Sequence, residues 1–280
     1  MDSVERKLSL VEIQKYELEI AKEIKKICEN NNIQYFLIGG TLLGAVRHRG
    51  FIPWDDDMDI GMTFENYVRF IKVAKKQLNS RFALQHWDDG TAYSYPFAKV
   101  KMVGTRVTEK VNRNLNIDKG IWVDVFPYYL SSKEFAKSRK NMLMLQCLSK
   151  LMLLKRGYDL NSLATSKRVK VINCILKYAP LSSDKARNIL VKKIRNQGIG
   201  NMDYYIECDG MFKGNFVFPQ EYFSRLIPIQ FENEIFLAPE KYHEYLSDAY
   251  GDYMKLPSIE EQQRGHSLIE TVIVEEGEIL

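Results

Sequence analysis

The sequence predicts an α+β fold. An N-terminal core alternates strands with helices, a basic helical region follows, and a C-terminal segment returns to the core. Three observations predict it. Apolar runs of strand length and amphipathic runs of helix length take turns through residues 1–130. Residues 131–200 carry 16 Lys and Arg against 3 Asp and Glu, in stretches of helical periodicity. Residues 201–280 reverse the balance, 5 against 16, and return to short extended pieces. These three ranges are the expected units.

Leu10, Ile13, Leu18, Ile20, Ile24 and Ile27 recur at roughly helical spacing, so 8–30 reads as one amphipathic helix ended by an Asn run. "QYFLI" is a short strand, interrupted by Gly39-Gly40; "TLLGAVRH" restarts as a helix with Thr41 near its N-cap. "FIPW" is a turn, because Pro53 can neither continue a helix nor join a central ladder. "DDMDIGM" reads as a strand, and "TFENYVRFIKVAKKQL" as a helix capped by Thr63 with Asn66 at N3. "FALQHW", "YPFAKVKMV" and "TRVTEKV" alternate like strands, and "GIWVDVFPYYL" is another, ended at Pro127. Helices are expected over 132–156, 166–178 and 183–196. "NFVFP", "SRLIPIQFE" and "EIFLAP" are extended, and "PEKYHEYLSDAYG" is a helix with Pro239 in its first turn and Gly251 closing it.

Composition narrows the class. With 280 residues, 45% of them hydrophobic, the chain can bury a sizeable core. No apolar run approaches the roughly 20 residues that span a bilayer, and the charged N-terminus has no secretory h-region. Cys28, Cys147, Cys174 and Cys208 are scattered, which suggests neither a disulfide framework nor a zinc site. A reducing cytoplasm is the expected location. The charge asymmetry has two readings: the basic middle and acidic end attract each other, or the basic helices face an anionic partner.

Four aspartates stand within five positions, Asp55 to Asp59. In a strand, Asp57 and Asp59 point one way and Met58 and Ile60 the other, into the core. The two carboxylates then sit about 6 to 7 Å apart. They repel unless a divalent cation lies between them, and Mg²⁺ takes one or two carboxylates together with substrate phosphates. The pattern suggests metal-assisted phosphoryl or nucleotidyl transfer; a solvated acidic turn or a calcium loop is the plainer alternative, though the spacing is not that of an EF-hand. Asp124 stands alone among apolar residues in "IWVDVF", where a carboxylate is costly unless paired or metal-bound. It is a third acid of the site, or else a buried Asp that caps a loop amide or pairs with an Arg.

Gly39, Gly40 and Thr41 supply the phosphate side. Glycines permit close backbone approach, and a helix start aims N–H groups at an anion. Arg47 and His48 either hold phosphates or complement the helix C-terminus. Lys99 and Lys101 share one face of "FAKVKMV"; they are phosphate candidates or the solvated side of an edge strand.

"GGTLLGAVRHRGFIPWDDDMDIGM" resembles the signature of the LicD family. "KVKMVGTRVT", "GIWVDVFP", "AYGDYMKLPS" and the following "RGH" resemble later motifs of that family, in the same order. The resemblance implies a nucleotidyltransferase-type core, a small mixed sheet flanked by helices, with a GG turn, a DxD strand and a third acidic strand. It implies transfer of phosphocholine from CDP-choline to sugar hydroxyls of cell-surface glycopolymers such as teichoic acid precursors or lipopolysaccharide, or of phosphoribitol or phosphoglycerol from the corresponding CDP-alcohols. It matches Asp57, Asp59 and Asp124 to catalytic ligands of Mg²⁺ (or Mn²⁺), two ions in all. Arg264 and His266 fall in the late motif, as phosphate or acceptor contacts or as a structural latch. The cysteine-rich zinc insertion of some relatives has no counterpart here.

A choline donor calls for an aromatic box, with Trp54, Trp87, Tyr93, Tyr95, Trp122 and Tyr128 as candidates. The expected partners are a CDP-alcohol, a sugar acceptor that is lipid-linked, and an anionic membrane met by residues 131–200, which places the protein at the inner membrane face. No nucleic acid is expected. The competing readings are nucleotidyl transfer from an NTP and a non-enzymatic polyanion-binding protein.

Overall fold

A computed structural model describes residues 5–275 except Gly90, Asp118, Thr165, 197–200, 208–216 and 265–268; for Glu5, 263–264 and 269–275 it describes the backbone alone. Strand β1 (Glu5–Lys7) leads into helix α1 (Leu10–Asn30). Ser9 and Glu12 close a reciprocal capping box, which satisfies donors at the helix start. Ile13, Ile20, Ile24 and Ile27 form its buried stripe, and one acidic side chain, Glu17, lies in that stripe.

The core follows as β2 (Phe36–Leu37), α2 (Gly39–His48), β3 (Asp59–Thr63), α3 (Phe64–Gln77), β4 (Phe82–Gln85), β5 (Ala98–Met102), β6 (Thr105–Glu109) and β7 (Trp122–Ser132). The basic region holds α4 (Lys133–Ala136), α5 (Arg139–Lys155), a 3₁₀ turn (Leu160–Leu163), α6 (Lys167–Tyr178) and α7 (Ser183–Arg195). The chain returns through β8 (Met202–Glu207), β9 (Val217–Pro219), a hairpin of β10 (Leu226–Phe231) and β11 (Glu234–Pro239), α8 (Tyr242–Tyr250), α9 (Ile259–Arg264) and β12 (Ile269–Glu275).

The main sheet runs β2-β3-β7-β5-β4. It is mixed: β3 and β7 are parallel and the other pairs antiparallel. Strand β8 joins the far half of β7, and β9 joins β8. A second sheet of β1, β12 and β6 ties the two ends of the described chain together. The fold is therefore α+β, as expected, and β7 is its central strand, buried on both faces from Trp122 to Tyr129.

Local expectations fared unevenly. Thr63 caps α3 and bonds Asn66, and Gly251 closes α8 with φ 70°. Pro127 does not end its strand. On one side of β7 it falls between Val125, the last residue to pair with β5, and Tyr128, the first to pair with β8, so no pair on that side needs its N–H; on the other side it stands opposite Met62 of β3, and the strand runs on through it. Pro239 ends β11 instead of opening the next helix. The helix expected over 132–156 is two, because Ser138 caps a new start at α5. Helix α2 begins at Gly39, two residues before Thr41. The Thr41 hydroxyl accepts from the Asp59 N–H at 2.8 Å and so ties the helix to β3 instead of capping it. Strand β3 begins at Asp59, leaving Asp57 in the loop before it, while Met58 and Ile60 enter the core as expected.

Candidate active site

Strand register brings the acidic residues together. The parallel pairing of β3 with β7 sets Asp59 opposite Asp124, and the antiparallel pairing of β5 with β7 sets Lys99 opposite Asp124 from the other side. Asp59, Asp124 and Lys99 thus form one row across three neighbouring strands. Lys99 Nζ lies 3.3 Å from Asp124 Oδ1, an ion pair within the protein. Lys99 is only 5% exposed, so β5 is no solvated edge. The ammonium sits 3.6 Å from the Trp122 ring centroid, with Tyr95 at 5.4 Å and Phe97 at 5.8 Å. This aromatic cage offsets part of the cost of burying the charge. Lys101 is also buried, between Ala83 and Trp122 in the ladder.

The loop before β3 adds Asp55, Asp56 and Asp57, each offering a carboxylate oxygen within 4.8 Å of the others. Gln14 of α1 holds this loop by donating to the carbonyls of Ile52 and Asp55 at 3.3 and 2.9 Å. Asp55 is buried, and Asp56 and Asp57 are half-buried. The two glycines make room for carboxylates. A Cβ on Gly40 would fall 2.9 Å from Asp55 Oδ2, and one on Gly39, whose φ is +54°, would fall 3.3 Å from Asp59 Oδ2. The start of α2 therefore faces the acids directly, where its N–H groups have no intrahelical partner. Gly39 N–H donates to Tyr245 Oη at 3.1 Å, and Tyr245 continues to Tyr128 and on to Glu207 at 3.4 and 2.8 Å.

Electrostatics record the crowding. Burial, then Asp57, Asp124 and Glu207, raise the Asp59 pKa well above the usual carboxylate range. Burial raises Asp124 to about 6 against the pull of Lys99, with Asp57 adding to the rise. Glu17, 2% exposed on α1, is raised by burial and then by Asp57, Asp56 and Asp55. Its Oε2 has no hydrogen-bond partner among the described residues. An all-oxygen donor set held in mutual repulsion, with an orphaned buried carboxylate oxygen beside it, fits a hard divalent cation.

A pH signature follows. The folded-state pKa of Asp124 lies above its unfolded value, so its contribution is fully present below 3.8 and lost as pH rises through about 6. Cation binding must remove those protons. The melting-temperature gain on adding Mg²⁺ to chelator-treated protein is expected to be larger at about pH 7 than at about pH 4. An equal gain at both would contradict binding at these carboxylates.

Beside the acids lies a cavity of about 670 Å³ lined by residues that include Arg47, Trp54, Tyr250 and Tyr253. Tyr250 connects cavity and acids, since its hydroxyl is 3.8 Å from the Cβ position of Gly39. Arg47 donates to the Tyr253 carbonyl at 2.8 Å and to His48 Nε2 at 2.9 Å. Burial and Arg47 hold the His48 pKa below its ordinary value. Of the box candidates, Tyr95 and Trp122 already surround Lys99, Tyr93 and Tyr128 are buried in the core, Trp87 is half-buried and bonds Asp88, and Trp54 faces the cavity. Arg264 ends α9, and His266 lies outside the described residues.

Sequence reasoning missed Glu17, Glu207, Phe97, Tyr245 and Tyr250. Glu17 left a signal, an acid in the apolar stripe of α1. Phe97 left one too, two residues from Lys99 on the same face of its strand stretch, and Tyr250 stands in the "AYGDYMKLPS" motif. Glu207 and Tyr245 left none, because β8 and α8 reach the site only through the fold.

Residues 32–146 match the family model described as LicD/FKTN/FKRP, nucleotidyltransferase domain. The lipopolysaccharide cholinephosphotransferase LicD of Haemophilus influenzae is 30% identical over 280 residues, covering 96% of this chain and all of that protein. The ribitol 5-phosphate transferase FKRP of Homo sapiens is 44% identical over 48 residues, 17% of this chain and 10% of that one. Both named relatives transfer a phospho-alcohol. With the acidic row, the glycine helix start and an end-to-end relative in agreement, the chain belongs to the LicD family of phosphotransferases.

Proposed function

We propose that this protein transfers phosphocholine from CDP-choline to a sugar hydroxyl of a cell-surface glycopolymer precursor, such as teichoic acid or lipopolysaccharide, releasing CMP. The observation that supports it most is the Asp59–Asp124–Lys99 row, whose Asp59 carboxylate faces Gly39 at the start of α2. The acceptor oxygen attacks the β-phosphorus, the bond from that phosphorus to the CMP oxygen breaks, and the hydroxyl proton passes to Asp124. In the cation-free protein burial pushes the Asp124 pKa up to about 6, so its carboxylate is ionised at neutral pH and able to accept a proton. Mg²⁺ or Mn²⁺ ions held by Asp57, Asp59 and Asp124 would neutralise charge at the diphosphate.

Lys99 keeps Asp124 oriented, and Arg47 and Trp54 line the cavity as contacts for the donor. Gly40 and Thr41 offer N–H groups, and Lys101, Arg264 and His48 are further phosphate contacts in this reading. The protein works on the cytoplasmic side, where the acceptor is lipid-linked. Among the described residues no helix is long and apolar enough to cross a membrane.

Incubation with CDP-choline, CDP-ribitol and CDP-glycerol in Mg²⁺, with CMP release followed for each, tests the donor. Release from CDP-choline above the other two is expected. Preference for CDP-ribitol would move the reading toward the FKRP-like activity. Pyrophosphate release from an NTP, with no CMP from any CDP-alcohol, would replace it by nucleotidyl transfer.

A further inference from the structure

Helix α6 packs along one side against α5 and the 3₁₀ turn. Asn173 is its one buried side chain, bonded to Asn161 at 3.0 Å, and Leu176 is partly buried. The opposite side carries Val171, Ile175 and Tyr178, which at i, i+4 and i+7 form one stripe. They are 57%, 65% and 77% exposed, with Ile172 beside them at 49%. Each lacks the cover that large apolar side chains normally receive, and together they make a continuous apolar strip along the helix.

Charge frames the strip. Lys167 and Arg168 stand at its N-terminal end, Lys170 and Lys177 border one side, and no acidic residue occurs in α6. The occupant must be apolar and anionic at once. A second copy of the chain related by a two-fold axis would bring α6 against α6, basic against basic. Nucleic acid would leave the apolar strip in water. An anionic bilayer satisfies both demands: the apolar side chains enter the headgroup boundary, and the lysines and Arg168 remain at the level of the lipid phosphates.

We infer that α6 is an interfacial membrane-docking helix that seats the protein on an anionic lipid surface through Val171, Ile172, Ile175 and Tyr178 within their basic frame. The surface lies outside the transfer site and stands independently of the transfer reading.

Co-sedimentation of the full chain with phosphatidylcholine vesicles, with and without one-third phosphatidylglycerol, tests it. Binding to the anionic vesicles alone is expected, falling as salt rises. Lys170→Gln/Lys177→Gln is expected to weaken binding about thirty-fold, about five-fold for each charge. Ile175→Asp/Tyr178→Asp is expected to abolish it, with melting temperature and CMP release in solution unchanged. Absence of binding to anionic vesicles at low salt would overturn the inference. So would binding that both variants retain, or a dimer, seen by light scattering, that the apolar variant dissolves.

Discussion

Asp59→Asn is expected to slow phospho-alcohol transfer by at least about a thousand-fold, the loss of several kcal/mol of charge stabilisation at the reacting phosphate. The same change is expected to raise the melting temperature of the cation-free protein at neutral pH. Asp59 faces Asp124 across the ladder, and its pKa is raised by burial and by Asp57, Asp124 and Glu207. Ionising it in the folded state therefore costs stability that an amide does not cost. Its backbone N–H keeps the bond to Thr41, so β3 stays anchored to α2. Steady-state CMP release together with thermal melts in chelator reads both effects. A variant that retains full turnover would remove Asp59 from the chemistry. One that loses turnover and stability together would show the carboxylate to be structural.

Gly44→Ala is expected to destabilise the protein by about 1–3 kcal/mol, as overpacking does. Helix propensity alone points the other way, since Ala is favoured over Gly by roughly 0.5–1 kcal/mol within a helix. Sterics win here. A Cβ at Gly44 would lie 2.4 Å from the Gly50 carbonyl oxygen and 3.3 Å from the Ile52 nitrogen, both main-chain atoms. That loop has little freedom to yield. The Arg49 carbonyl accepts from Glu232 N–H at 2.7 Å, and Phe51 N–H donates to the Glu232 carboxylate at 3.0 Å. The displacement also propagates toward Asp55, so activity is expected to fall with stability. Urea unfolding of Gly44→Ala against the parent protein checks it; an unchanged midpoint would mean that the Gly50 loop moves freely.

Much of the fold was legible because it rests on local chemistry. The apolar stripe of α1, the Thr63 cap of α3 and the Gly251 stop of α8 are properties of short windows, and the structure has each of them. Expectations slipped where a partner strand or helix decides. Pro127 reads as a terminator until β5 and β8 are seen to take over from one another beside it. Thr41 reads as a cap until the Asp59 N–H claims its hydroxyl. Lys99 and Lys101 read equally well as a solvated edge, because nothing in "FAKVKMV" tells that β5 lies between β4 and β7.

The sequence by itself determined the family, the α+β class and the acids that can carry charge, since residue type and spacing along the chain suffice for those. It also set the basic and acidic halves and the periodicity of α6. Only the tertiary structure decided which acids meet. Register across β3, β7 and β5 aligns Asp59, Asp124 and Lys99 from positions far apart in the chain, and α1 and β8 bring Glu17 and Glu207 into the same field. The physical reason is range: capping and periodicity act over a few residues, while the repulsion that defines this site acts through space between strands paired only when the whole sheet is formed.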